Sequence, residues 1–299
     1  MRRLLISGLA GALLASAGAQ AARKYDPAED KRPVNELYKA MADELPDVRL
    51  RAARALGAKG PKVMPVLTKA LKNKDWRLRR SATDALAQMG PDASSAVPAL
   101  AEALKDTDAW VRDGAASALG KTGKDVPAAA RALARAVTDK DPWVRESAMS
   151  ALRSVTQDKD ILLPAAVAAI KVRHSGWNVR RHAMGVLSRF GEGYEPAIPA
   201  LLDMLEHPSE GMWDCTASGV DVLVKLAAEE KAIPILLKML KEKRRGARRS
   251  AAAMLGKMGA KAQPAVAALK EIAGKDPDKR IREVAKASLE QIAGKKKQK

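Results

Sequence analysis

DPWVRESAMSAL, residues 141–152, sets a carboxylate, an indole, a branched aliphatic side chain and an arginine directly ahead of a run of small residues. A ligand site and the start of a helix would both use such a cluster, and recurrence separates the two. DAWVRDGAASAL stands at 108–119, and the aliphatic-arginine pair returns as Val48-Arg49, Leu78-Arg79, Val111-Arg112, Val144-Arg145, Val179-Arg180, Ala247-Arg248 and Ile281-Arg282. The first spacings are 30, 33, 33 and 35 residues, and a gap of 68 before Ala247 holds one degenerate unit near Trp213. A fixed period in this range means a stacked array of supersecondary units.

Composition agrees with helices. Of 299 residues 47% are hydrophobic while only 3% are aromatic, so the apolar content is chiefly Ala, Leu and Val. Strands would favour β-branched and aromatic side chains. Within the third unit Val111, Ala115, Ala118 and Leu119 recur at helical spacing after Asp108, which predicts a first helix, helix A, with Gly120 as its stop. DVPAAARALARAV then predicts a helix B with Pro127 at its first turn, where a missing N–H costs nothing, and Pro98, Pro164, Pro199, Pro234 and Pro264 are assigned the same place elsewhere. Asp75, Asp108, Asp141 and Asp278 precede the aliphatic position by three residues, so their carboxylates can cap helix A, each contributing about 1 kcal/mol. They also precede an arginine by four, which puts both charges on one face. The arginines at 49, 79, 112, 145, 180, 248 and 282 are expected to form a structural ladder that bridges carboxylates or carbonyls of neighbouring units.

VRESAMSAL, ARRSAAAML and IREVAKASL, with the Pro-led second helix, resemble the HEAT repeat, in particular its short bacterial form of the phycobilisome-lyase type. The resemblance implies an all-α fold, an α-solenoid (superhelix) of stacked helical hairpins over residues 31–292, with about seven full units and a half-unit at each end. KRPVNELYKAMAD from Lys31 looks like a lone helix B, and the last segment like a lone helix A. The resemblance further implies a non-enzymatic binding or scaffold protein, because a solenoid offers a long open face and little enclosed volume. Two alternatives stand beside it, a bilin-lyase-like or other enzyme and a nucleic-acid-binding solenoid. No lyase motif matches residue by residue. The HEAT-like hydroxylases need His-Glu pairs, whereas His174, His182 and His207 are followed by Ser, Ala and Pro, so neither metal nor cofactor is expected.

Two features are left for function. All five tryptophans (Trp76, Trp110, Trp143, Trp177, Trp213) fall at the start of helix A. Packing over the preceding hairpin is the plain expectation, and an exposed ridge for a partner is the functional one. Charge is the second feature. With 54 Lys and Arg against 35 Asp and Glu the chain carries +19, which favours anionic partners. Lys72, Lys105, Lys171 and Lys241 simply complement the C-terminal ends of B helices, but Lys241, Lys243, Arg244, Arg245, Arg248 and Arg249 exceed what capping requires. Excluding the ladder residue Arg248, the candidate partner-binding residues are Lys241, Lys243, Arg244, Arg245, Arg249, Trp177, Tyr194 and Trp213. Every His, Phe190, Tyr194 and the lone Cys215, which has no partner for an internal disulfide, lie between 174 and 215, where Asp214 stands in place of the ladder arginine.

MRRLLISGLAGALLASAGAQAA has a basic start, an apolar stretch from Leu4 to Ala17 and an Ala19-Gln20-Ala21 cleavage site, so it reads as a secretory signal peptide over 1–21. Residues 22–30 are then a linker and 293–299 a basic tail. The expected mature protein is a periplasmic or secreted monomer with no transmembrane segment and a protein or other anionic envelope partner, nucleic acid being disfavoured outside the cell. Intact-mass measurement of the isolated protein should place its first residue at Ala22; recovery of the whole N-terminus in membranes would overturn this assignment.

Overall fold

Each ladder arginine stands fourth in a helix. The computed structural model describes residues 26–172, 176–206, 213–226 and 228–294, apart from the side chains at 206, 213–217, 229 and 230. The expected signal peptide 1–21, His174, His207 and the tail beyond 294 lie outside the described residues. The fold is an all-α solenoid of stacked hairpins, divided into two compact units on either side of Met89 and Gly90. The first unit holds α1 (Val34–Ala40), α2 (Pro46–Ala58), α3 (Met64–Ala70) and α4 (Trp76–Met89). In the second, the B helices are α5 (Val97–Ala103), α7 (Pro127–Ala136), α9 (Lys159–Lys171), α11 (Ile198–Glu206), α13 (Ile233–Leu240) and α15 (Val266–Lys275). Its A helices are α6 (Ala109–Thr122), α8 (Pro142–Val155), α10 (Trp177–Phe190), α12 (Trp213–Lys225), α14 (Arg245–Lys257) and α16 (Lys279–Ile292). Among the described residues α1 is the first α-helix of the first unit and α16 the last of the second.

The arginine turns back from helix A to the loop that precedes it. Nη1 of Arg112 donates to the carbonyls of Asp106 and Thr107 at 2.9 and 3.1 Å, and Arg145 does the same to Asp139 and Lys140 at 2.8 and 3.1 Å. Arg49, Arg79, Arg248 and Arg282 repeat the pattern on their own loops. Except at Arg248, where it is that of Glu242, the first carbonyl belongs to an Asp or Asn whose side chain in turn accepts from the N–H two residues on, as Asp139 does from Asp141 at 2.8 Å and Asp276 from Asp278 at 2.9 Å. This is an Asx turn, which orders the loop before the helix begins.

Arg112 and Arg248 also reach forward. Nε and Nη2 of Arg112 donate to both carboxylate oxygens of Asp139 at 2.8 and 2.9 Å, and Arg248 grips Asp276 in the same fashion at 2.7 and 3.3 Å. One guanidinium thereby joins the loop that opens its own repeat to the loop that opens the next. The capping aspartates are not its partners, contrary to the spacing argument. Asp108 and Asp141 spend one oxygen on the N–H groups of Trp110 and Val111, and of Trp143 and Val144, while Asp75 and Asp278 accept from Arg77 and Arg280. Free N–H groups at a helix start compete directly for that carboxylate.

Successive A helices of the second unit lie side by side, as do its successive B helices, and α2 lies beside α4 in the first. Glycine at the twelfth position of helix A allows the approach. A Cβ on Gly120 would sit 2.9 Å from that of Ala151. Gly120 is therefore interior to α6 and a packing residue, where a helix stop was expected. Gly57 and Gly256 hold the same position in α2 and α14. Side chains fasten the contacts: Ser81 Oγ donates to the Met41 carbonyl within the first unit, and in the second Ser288 Oγ donates to that of Ala252 and Asn178 Nδ2 to Glu146. Leu119, Leu133, Met149, Leu152 and Leu187 fill the space between the layers of the second unit and are fully buried, as are Leu37, Leu56, Leu67 and Leu86 in the first. Pro98, Pro127, Pro199 and Pro234 do open B helices. Pro164 does not: Asp158 caps α9 earlier, at the N–H of Asp160, so the proline falls inside the helix on its exposed side. Pro264 falls in a 3-10 turn ahead of α15. The sixth-repeat assignment also shifts. Because α12 starts at Trp213, its fourth residue is Thr216, and Thr216 rather than Asp214 replaces the ladder arginine.

Arg112 is 4% exposed and Asp139 12%, so deleting one partner leaves a buried charge. Arg112→Ala should cost about 3 kcal/mol in urea unfolding, and Arg112→Met markedly less, because an apolar chain of similar length leaves nothing to pair. Acid should act on the other grip. Burial raises the Asp276 carboxyl but is outweighed by the Arg248 hydrogen bond, the Asp278 N–H and the charges of Arg248 and Arg282, which together hold it below its ordinary value. A carboxyl depressed on folding contributes stability that is complete above its unfolded value and is lost as pH falls through the folded one. Hydrogen exchange in α14 and α16 should thus accelerate first below the ordinary carboxylate range, and Asp276→Asn should remove that acid dependence.

Candidate functional site

The thirteenth residue of one A helix bonds to the twelfth of the A helix before it, as in Ser154 Oγ to the Gly120 carbonyl and Lys225 Nζ to that of Ser188, so the A helices of the second unit run parallel with their starts along one edge. That edge carries Trp110, Trp143, Trp177, Trp213 and then Arg245 and Lys279. The tryptophans do not form a single column. Trp177 and Trp213 are first residues of their helices, as Trp76 is in the first unit, whereas Trp110 and Trp143 are second. One residue is about 100° of helix turn. The second-position indoles are the more open, with Trp110 at 60% and Trp143 at 66% exposure, against 45% for Trp177. The Asp at the N-cap fixes the helix start and turns the second position outward, so these two rings keep more than half of their surface in water. Trp76 in the first unit is half-buried beneath the guanidinium groups of Arg49 and Arg77 at 5.8 and 5.6 Å. The Trp213 side chain lies outside the described residues.

Cations occupy the far end of the edge. Lys241, Lys243, Arg244, Arg245 and Arg249 are all exposed. They are not equivalent. Arg244 pairs with Glu242 at 2.8 Å, Arg245 with the capping Asp278, and Arg248 is spent on Asp276. Among the described residues Lys241, Lys243 and Arg249 make no ion pair, so three side chains carry the free charge where the sequence suggests six. Neither α10 nor α14 has a side-chain cap, since Gly176 and Arg244 precede them.

Trp177 and Tyr194 are not brought together. Tyr194 follows the far end of α10, about 20 Å from Trp177 along a helix of this length. Arg181 is the neighbour that matters: its guanidinium lies 4.9 Å from the Trp177 ring centre. His182 accepts at Nδ1 from Arg153 Nη1 at 2.6 Å, and burial followed by the charges of Arg153 and Arg181 holds its pKa below the ordinary imidazole value. His182 is thus engaged with cations. Among the described residues no group of three or more His, Cys, Asp and Glu could hold a metal ion, and no helix is long and apolar enough to cross a membrane.

Comparison with known proteins bears on the fold. The family described as HEAT repeats matches residues 34–95, 91–153 and 217–290. Among solved structures, Kap121p bound to Nup53p superposes with a TM-score of 0.56 at 16% identity, over 87% of this chain and 33% of its own. The protein YibA of E. coli gives 0.56 at 18% identity, over 87% of this chain and 93% of its own. A homology model of the AP-3 complex gives 0.57 at 16% identity, over 87% and 50%. The chain therefore spans about a third of Kap121p and half of the AP-3 chain. Curated protein sequences contain no match.

Because Trp143 is 66% exposed, replacing it with Ala should change stability by no more than about 0.5 kcal/mol. The variant should also lose part of the tryptophan fluorescence that acrylamide quenches freely, and a large drop in melting temperature would show that the ring packs.

Proposed function

The chain belongs to the HEAT-repeat family, and on that premise we propose that it is a non-enzymatic scaffold which binds an anionic protein partner along the edge formed by its A-helix starts. The observation that carries this reading is the exposure of Trp110 and Trp143, each two residues ahead of a buried ladder arginine, Arg112 or Arg145. Folding explains the arginines, the caps, the small residues and the aliphatic layers, and it leaves most of the surface of these two indoles in water. Open tryptophan at equivalent places in adjacent repeats is costly to keep in water and is suited to the centre of an interface. The charge balance of +19 supports the sign of the partner, and Lys241, Lys243 and Arg249 supply free cations at the end of the same edge.

The N-terminal segment supports an extension of the proposal: the scaffold works in the bacterial envelope or outside it. There the anionic surfaces within reach are acidic proteins and wall polymers rather than nucleic acid.

Electrostatic attachment makes a kinetic demand. Charge reversal at Lys241, Lys243 and Arg249 should slow association with an envelope partner, captured and crosslinked to the mature protein, more than it speeds dissociation. Reversal at Arg244 and Arg245 should act less on association, since Glu242 and Asp278 already neutralise them. Wild-type binding should weaken steeply with salt as the Debye length falls below about 10 Å. Equal association rates and equal salt slopes in wild type and variant would reduce the cation run to a solvated surface.

A further inference from the structure

Between α10 and α12 lies an open groove of about 360 Å³. Trp177, Arg181, Met184, Gly185 and Ser188 form one wall, and Asp221 stands on the other. The volume is at the small end of ligand clefts and admits side chains rather than a folded surface.

Gly185 is the telling residue. Glycine in a helix interior is unfavourable relative to alanine, and at Gly120 close packing explains it. No such reason exists at Gly185, where an added Cβ would meet only the tip of Arg153, at 3.9 Å. The missing side chain opens the groove floor. Around that floor the charge is positive. Arg181 stacks on Trp177, Arg153 reaches the base, Lys225 Nζ donates to the Ser188 carbonyl at 2.6 Å, and Lys257 Nζ holds Asp221 at 3.0 and 3.1 Å. Asp221, the carboxylate among the described lining residues, is thus already paired, and an incoming anion meets cations beside an aromatic face and the Met184 thioether.

We propose that this groove docks a short acidic segment of a protein partner, with a carboxylate against Arg181 and Arg153 and a neighbouring apolar side chain on Trp177 and Met184. The proposal rests on the scaffold reading but not on the cation run near 241–249. Arginine held flat against an indole is preorganised to give its edge N–H groups to a carboxylate, and the paired recognition of charge and ring separates this segment from a plain polyanion.

The full mature chain would be titrated with a synthetic peptide alternating glutamate and phenylalanine, with its glutamine counterpart and with oligoglutamate of the same length. Calorimetry and tryptophan fluorescence give the affinities. The first peptide should bind about tenfold or more tightly than either control. Trp177→Ala and Arg181→Gln should each weaken it to a similar degree, and Gly185→Leu, which fills the floor, should abolish it without lowering the melting temperature. Reversal at Lys241, Lys243 and Arg249 should leave peptide binding unchanged. Equal binding of the glutamine peptide, or wild-type affinity in the groove variants, overturns the proposal. If peptide binding is lost only in the cation-run variant, the scaffold reading stands and the groove is not its site. Should Gly185→Leu fail to fold, the two exposed-residue variants decide the matter.

Discussion

A guanidinium has five N–H groups in one plane, and this solenoid uses that geometry as its joint. The helix start sets the fourth residue against the preceding loop, so one nitrogen can hold two successive carbonyls while the other edge faces outward to the following loop. Where an aspartate waits there, as at Asp139 and Asp276, the fork closes on both oxygens. The remainder of the structure follows from that fixed offset. The Asx turn shapes the loop that the arginine grips, the N-cap aspartate sets where the helix begins, and the twelfth-position glycine lets the next helix A lie close enough for the grip to reach.

The repeat, its two helices, the caps and the buried arginines were legible because they are local patterns with a period. What was missed shows where a periodic reading fails. Asp139 and Asp276 lie two residues before a capping aspartate, and the D-x-D spacing is visible in DKDPWVR and DPDKRIR. Their role was hidden because their partner is one hairpin earlier, while the helical rule looks four residues away. Gly120 looked like a stop because glycine ends helices; its neighbour in α8 supplies the other reason. The split of the tryptophans into first and second positions could be counted from the arginine, three residues ahead in WRLR and WNVR and two in WVR, yet its meaning appears only once the helix start is known.

The candidate site was less legible than the fold. Six cations in nine residues suggest one patch, but charge in sequence does not reveal which charges are already neutralised. Glu242 and Asp278 take Arg244 and Arg245 out of the account, and Asp278 is remote in sequence. Conversely, Arg181 drew no notice as a second arginine beside a ladder residue. Position five of the helix turns it away from the loop and onto Trp177, so two adjacent arginines of the same type serve packing and surface chemistry separately.

The grip of Arg112 also has a direction in time. Its two carbonyl partners lie five and six residues upstream, while its carboxylate partner lies 27 residues downstream. As the chain leaves the ribosome, the first half of each joint can close as soon as helix A forms. The second half has nothing to hold until the whole of helix B and the next loop have emerged. A repeat joined in this way is therefore completed by its successor, and its joint stays half made until the following loop has emerged.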